Sequence, residues 1–329
     1  GRRDDAHALI EKYTYTCAGS PPMDTRALAE FIQLGRFPFL ISGFIPFAAG
    51  ALLALLLGAR FTPVQFVFGY AAMAAAHLSV HYSNDYFDAD ADRFVETTAI
   101  SGGSGVLPKN PHLKPAALAA AVTLMAASLL IGYAFVTVYT YPAIFLVFGI
   151  AGNLIGWFYT APPVALVYRK LGEVANMITF GLLMPGAGYF VAAGTLDLTF
   201  FAFALPLALH GLVFNISVQI PDREGDIAGG KPTLVARKGR VFGFGLIAVA
   251  ASLATAALVV SALTGAFFPV DFRPVALASL VPLGIAVWGF LHRSPDREPS
   301  LRYATANIAG YFIFQVLVVG YFAFLAFLA

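Results

Sequence analysis

Long apolar runs separated by short polar stretches cover almost the whole chain after its first few dozen residues. A membrane-crossing helix needs about 20 mostly apolar residues. Nine segments follow that pattern: Phe37–Gly58, Phe61–Ser83, Pro115–Tyr139, Pro142–Thr160, Val174–Ala193, Phe200–Ile220, Val241–Thr264, Val275–Leu291 and Ala304–Leu328. The eighth is the shortest. Proline inside several of them (Pro46, Pro185, Pro206, Pro282) is tolerated where neighbouring helices satisfy the freed backbone groups. Ahead of them, Thr25–Gly35 reads as a short amphipathic helix lying on the membrane surface. The first 22 residues carry Arg2, Arg3, Asp4 and Asp5 and no apolar stretch, so they do not read as a signal peptide. The expectation is an N-terminal segment, 1–35, followed by an all-α membrane domain over 36–329.

Composition agrees with the pattern. Hydrophobic residues make up 59% of the 329 and charged residues 12%, against roughly 45–50% and 25% in soluble domains. A soluble enzyme, a secreted disulfide scaffold and a nucleic-acid binder are all excluded. The net charge of +2 offers no field to hold a polyanion, and the single cysteine, Cys17, permits no internal disulfide or cysteine metal cluster. Of the 20 Lys and Arg residues, 18 fall before span 1 or in the loops after spans 2, 4, 6 and 8, leaving Arg60 and Arg273 for the other side. The positive-inside rule then places the N-terminus in the cytoplasm and the C-terminus outside, with the plasma membrane as the expected location.

The acidic residues cluster. Of 18, eight lie in two short stretches, Asp85–Glu96 and Asp222–Asp226, at the cytoplasmic ends of spans 2 and 6. Ionisable groups placed there are functional-site candidates. Positions 84, 88 and 92 are four apart and 85 is three from 88, so on a helix Asn84, Asp85, Asp88 and Asp92 share one face. Asp222 and Asp226 are likewise one turn apart. Asp90 and Glu224 fall near the opposite faces. Like charges at this spacing repel unless cations lie between them, and oxygen-only donors favour Mg²⁺ shared with a phosphate. His77, His81, Asn84 and Asp88 form a polar stripe along span 2, and Asn215, Gln219, Asp222 and Asp226 another along span 6. Two such stripes imply a polar cavity opening toward the cytoplasm.

Blander readings compete. One acidic cluster alone is as well explained by a solvated loop; two at equivalent ends, each continued by a polar stripe, are not. His77 and His81 read as cavity-lining or packed histidines several times more readily than as metal ligands with Asp85. Gly102-Gly103-Ser104-Gly105 reads as a flexible turn in preference to a phosphate cradle.

Asn84-Asp85-x-x-Asp88-x-x-x-Asp92 resembles the first aspartate motif of the UbiA superfamily of intramembrane prenyltransferases, and Asp222-Arg-Glu-Gly-Asp226 with Gly230-Lys231 resembles the second. Tyr159-Thr160-Ala-Pro162-Pro163, then Arg169-Lys170-Leu-Gly172-Glu173, resembles the family's connector between spans 4 and 5. The resemblance implies nine helices around a central cavity, with both motifs under a cytoplasmic cap. It implies transfer of a prenyl group from a prenyl diphosphate, bound through two Mg²⁺ ions, to a lipophilic aromatic acceptor. Ser101-Gly-Gly-Ser-Gly-Val106-Leu107 and Gln219-Ile-Pro221-Asp222 resemble the branch that prenylates dihydroxynaphthoate for menaquinone. The chain departs from many members at Glu96-Thr97-Thr98, where they carry Arg or Lys, and its Arg169 and Lys170 are shifted from the family's acceptor-binding basic positions.

On this reading Asn84, Asp85, Asp88, Asp92, Asp222 and Asp226 are the metal ligands. Arg93 and Lys231 contact phosphate, and Asn215 and Gln219 line the substrate cavity. Tyr159, with Tyr86 as second candidate, faces the allylic cation. Arg36 and Arg169 are the candidates to pair with an acceptor carboxylate. Two rivals stand beside it: a membrane terpene cyclase that ionises the same diphosphate, and a cation-coupled transporter. Transporter sites usually lie near the bilayer midplane, and these acids lie at one face. Oligomeric state is not specified.

Overall fold

The protein, a computed structural model, is described over residues 25–95 and 103–328. The expectations for residues before Thr25, for the side chain of Arg26, and for Glu96-Thr97-Thr98, Ser101 and Gly102 lie outside the described residues. Every regular element among the described residues is helical. Helix α1 (Thr25–Leu34) and a 3₁₀ turn (Phe37–Phe39) lead into α2 (Leu40–Leu56) and α3 (Pro63–Asp88). A 3₁₀ turn at Asp92–Phe94 and a loop precede α4 (Lys114–Tyr139) and α5 (Ile144–Trp157). Then come α6 (Gly172–Ile178), a π-helical turn (Thr179–Leu183) and α7 (Met184–Ala193), which together form one span. Next are α8 (Leu198–Ala228), the short α9 (Leu234–Lys238), α10 (Arg240–Thr264), α11 (Arg273–Ala278) with α12 (Leu280–Leu291), and α13 (Arg297–Phe327).

Among the described residues eight helices are long and apolar enough to cross a membrane. The short one is the fourth segment, not the eighth. Arg273–Leu291 runs 19 residues, whereas α5 has 14. At 1.5 Å per residue α5 reaches about 21 Å, less than the roughly 30 Å of hydrocarbon. It starts only after Pro142 and unwinds at Phe158, where the connector toward Pro162-Pro163 begins.

The bundle's outer surface is apolar: Leu130, Leu205, Leu253, Leu263 and Leu291 are all exposed. With lipid as the solvent, tight packing rather than hydrophobicity joins the helices. Gly50 and Gly188 show this. A β-carbon on Gly50 would lie 1.8 Å from the Pro185 carbonyl oxygen, and one on Gly188 1.8 Å from that of Phe47. Helices α2 and α7 therefore meet backbone to backbone. Helix α1 is docked on α3 by Tyr82, whose hydroxyl donates to the Phe31 carbonyl at 3.1 Å. The π-helical turn precedes Pro185, whose missing N–H frees the Gly181 carbonyl.

Candidate active site

Helix α3 ends at Asp88, so the single helical face predicted through Asp92 is interrupted. Asp92 opens a 3₁₀ turn. The tighter turn nevertheless keeps Asp85, Asp88 and Asp92 buried together, while Asp90 faces outward and pairs with Arg93 at 3.2 Å and Lys114 at 3.6 Å. The end of α8 closes on this segment through two glycines one turn apart. A β-carbon on Gly225 would lie 2.6 Å from Val95 Cγ2, and one on Gly229 3.0 Å from the Ala91 carbonyl oxygen. That contact brings the second acidic motif to the first.

Lys231 joins them. Its Nζ lies 2.8 Å from Asp88 Oδ2 and 2.8 Å from Asp92 Oδ1. Burial alone would discourage its charge, but Asp88 and Asp92 outweigh burial and hold the ammonium above the ordinary lysine range. The Tyr168 hydroxyl donates to Asp88 Oδ1 at 2.9 Å, and burial followed by Asp88 pushes its own ionisation up. The Thr233 hydroxyl donates to Asp226 Oδ2 at 2.8 Å. Asp85 Oδ2 accepts from the Ser104 N–H at 3.2 Å and from the Ser104 hydroxyl. The turn that presents Ser104 requires Gly103: its φ is +66°, and a β-carbon there would meet Asp92 Oδ2 at 2.4 Å. The glycine-rich turn thus embraces carboxylates.

Beneath the carboxylates lies a cavity of about 330 Å³, bordered by Arg36, His77, His81, Asn84, Tyr159, Asn176, Asn215 and apolar residues of α3 to α8. That volume is at the lower end for small-molecule sites. Tyr159 accepts from Asn176 Nδ2 at 3.0 Å through its hydroxyl oxygen. Asn84 Oδ1 accepts from the Thr160 hydroxyl at 2.9 Å, tying the first motif to the connector. The Arg36 guanidinium covers the Phe39 ring at 4.3 Å and lies within electrostatic reach of Asp85, Asp92 and Asp222.

Asp85, Asp88, Asp92, Asp222, Asp226, Lys231, Arg36, Tyr159, Asn84 and Asn215 are therefore gathered at the cavity or its mouth. Others are not. Arg93 is turned outward onto Asp90. Arg169 is exposed and donates to the Pro163 carbonyl at 3.0 Å. Gln219 spends its amide on the protein: Nε2 donates to Glu173 Oε1 at 3.0 Å and Asn215 Oδ1 at 2.9 Å, and Oε1 accepts from Val235 N at 3.2 Å. Tyr86 packs beside α1 with Leu34 and Tyr82. Glu224, assigned to the opposite face, is held by Arg240. Sequence reasoning missed Ser104, Tyr168, Thr233 and Glu173. The glycine-rich turn contained Ser104, and the connector contained Tyr168 and ended its motif on Glu173; nothing local marked Thr233.

The UbiA prenyltransferase family matches residues 43–327. The chain belongs to that family. It is an integral membrane protein and a prenyltransferase. A 1,4-dihydroxy-2-naphthoate octaprenyltransferase of Bacillus subtilis (strain 168) is 24% identical over 298 residues, 88% of this chain and 92% of that one. A UbiA homologue from Archaeoglobus fulgidus, solved with DMAPP and Mg2+, superposes with a TM-score of 0.68 at 15% identity, covering 91% and 100% of the two chains. Its form bound to GPP and Mg2+ gives 0.67 at 15% identity, covering 89% and 98%. A homologue from Aeropyrum pernix K1 gives 0.62 at 18% identity, covering 86% and 98%. These similarities establish the fold. Among the described residues no three His, Cys, Asp or Glu side chains converge to hold a metal alone. The donors present are carboxylate oxygens from two facing helix ends, which suits a hard cation that completes its coordination with ligand oxygens.

Proposed function

We propose that this prenyltransferase moves a prenyl group from a prenyl diphosphate to a hydroxylated aromatic carboxylate of the dihydroxynaphthoate kind, with Mg²⁺ as cofactor. The observation that carries the reading is the meeting of both aspartate-bearing helix ends above a largely apolar cavity, bridged by Lys231. The solved relatives bound to GPP or DMAPP with Mg2+ support the donor and the metal, and the Bacillus subtilis octaprenyltransferase supports the acceptor. Asp85, Asp88 and Asp92 on one side and Asp222 and Asp226 on the other are the residues to hold two Mg²⁺ ions. Mg²⁺ held there would supply the charge neutralisation that makes a diphosphate a competent leaving group.

The chain's own groups do the rest. Lys231 is a cation already desolvated at the mouth, available to phosphate oxygens once the carboxylates engage metal. Tyr159 offers an aromatic face to the allylic cation, with Asn176 fixing its hydroxyl. The apolar wall keeps water from that cation. Arg36, the cavity's own guanidinium, pairs with the acceptor carboxylate, a role that exposed Arg169 is not placed to share.

Incubation of purified protein with Mg²⁺ and a panel of prenyl diphosphates and acceptors, read by mass spectrometry, tests the reading. A prenylated acceptor is expected; an isoprenoid product from diphosphate alone would identify a cyclase instead. The 18-to-2 asymmetry of basic residues supports a cytoplasmic N-terminus and mouth, in the plasma membrane. In a chain with Cys17 replaced, Lys238→Cys should label only from the cytoplasm and Arg60→Cys only from outside.

A further inference from the structure

The cavity wall carries polar groups well below the carboxylates, and most have partners within the protein. Asn153 donates to Ser128 and to the Gly149 carbonyl, Asn176 to Tyr159 and the Gly172 carbonyl, and Thr179 to the Ala175 carbonyl. Two wall residues differ. His77 Nδ1 and His81 Nε2 are buried nitrogens without a hydrogen-bond partner, and among the described wall residues they alone are so. Desolvated polar atoms of this kind are normally satisfied.

The pair is deliberately housed. The residues are one turn apart on α3, and their rings lie 4.7 Å apart at 35°. A β-carbon at Gly43 would lie 2.7 Å from His77 Nδ1, so α2 has a glycine where the imidazole needs room. Phe39 meets the His81 ring edge-on at 6.0 Å. At 1.5 Å per residue, His81 and His77 sit about 6 and 12 Å along α3 from Asp85, down the cavity from the diphosphate end. Arg36 is within electrostatic reach of His81. A metal site does not explain them, since no third His, Cys, Asp or Glu joins them among the described residues, and Asp85 is occupied by Ser104.

We propose that His77 and His81 form the subsite that reads a phenolic hydroxyl of the acceptor, beside the Arg36 that takes its carboxylate. This rests on the transferase reading above. A neutral imidazole presents one N–H donor and one lone pair, so two adjacent rings can both donate to and accept from aryl hydroxyls. An aryl ether can only accept. The two neighbouring rings and Phe39 also form an aromatic edge suited to a planar ligand. A hydroxyl donating to imidazole becomes more electron-rich, which favours attack by the neighbouring ring carbon. The subsite therefore selects hydroxylated acceptors and orients them toward the cation.

The test compares a dihydroxylated aromatic carboxylate with its mono- and di-O-methyl ethers as acceptors, in full-length protein with Mg²⁺ and saturating prenyl diphosphate. Wild type should prefer the free hydroxyls. His77→Phe and His81→Phe keep an aromatic ring at each position but lose hydrogen bonding. Each should raise the KM for the hydroxylated acceptor about tenfold, the cost of a lost hydrogen bond, and erase the preference over the ethers. The prenyl diphosphate KM should move less than twofold. His81→Gln, which keeps a donor and an acceptor, should recover part of the preference and guards against a variant that fails to fold. No transfer by wild type to any acceptor overturns the underlying reading and this proposal with it. Transfer by wild type, with hydroxyl preference intact in both Phe variants or with both KM values raised alike, overturns this proposal alone.

Discussion

Replacing Lys231 by Met tests how the acidic motifs are held when substrate is absent. The side chain keeps its length but loses a charge that lies 2.8 Å from both Asp88 and Asp92. At that distance and an effective dielectric near 20, each pair is worth about 6 kcal/mol before desolvation. Desolvation of buried ions offsets much of this gain, but removing one partner leaves uncompensated charge and typically costs about 3–5 kcal/mol. Here two carboxylates would face each other, and among the described residues the Tyr168 hydroxyl still donates to Asp88. The variant should lose stability in that range when divalent ions are chelated. Mg²⁺ should then do what lysine did: at a hundred times its Kd it restores about 2.7 kcal/mol. Unfolding in detergent, followed with EDTA and across a Mg²⁺ titration, measures both effects. Wild type should respond less to Mg²⁺, because the ion must first displace an ammonium. A variant as stable as wild type in EDTA, or equal Mg²⁺ stabilisation of the two proteins, would refute the assignment of Lys231 as the resident counter-ion.

Asp88→Ala and Asp222→Ala should each lower turnover by a factor on the order of 10²–10³, as for loss of one major electrostatic stabiliser, without changing folded yield; Asp90→Ala, exposed beside Arg93 and Lys114, should cost little. Arg36→Ala should raise the acceptor KM roughly tenfold to a hundredfold, the equivalent of about 1.5–3 kcal/mol for a charged hydrogen bond, and leave the diphosphate KM nearly unchanged, whereas Arg169→Ala should alter neither in steady-state kinetics. Gly225→Leu drives its β-carbon against Val95; thermal unfolding should show a loss of about 1–3 kcal/mol, and activity should fall further because the two motifs are pushed apart.

The parts legible in the sequence were those that depend on local periodicity. Apolar runs gave the spans, and the i,i+3 and i,i+4 spacing of Asp85, Asp88, Asp222 and Asp226 gave the two acidic faces. Even there, the spacing overstated the helix: Asp92 reaches the site through a 3₁₀ turn, and α5 stops short because the connector begins at Phe158. Contacts between distant segments were invisible. Lys231 stands beside Gly230 in the second motif, but nothing nearby in sequence says that it pairs with Asp92, 139 positions away. The geometry explains the pairing: Gly230 turns with φ +72°, and the Lys231 N–H donates to the Asp226 carbonyl at 2.8 Å, folding the lysine back over the carboxylates.

The same limit separates Arg36 from Arg169, which the sequence presents as equivalent cations at the cytoplasmic ends of spans. Both lie at turns with positive φ, Arg36 itself at 46° and Lys170 after Arg169 at 65°. The backbone around each turn decides where the charge goes. After Arg36 the 3₁₀ turn Phe37–Phe39 leads straight into α2, and Phe39 stacks under the guanidinium at the cavity wall. Arg169 ends a 3₁₀ turn whose backbone is fastened to Ala165, and its guanidinium is taken by the Pro163 carbonyl on the exposed side of the connector. A residue type suited to binding carboxylate becomes a binding residue only where the fold desolvates it next to space for a ligand. Of the two arginines only Arg36 borders the cavity, so the specificity of transfer should track the short turn that carries it, not the basic connector that carries Arg169.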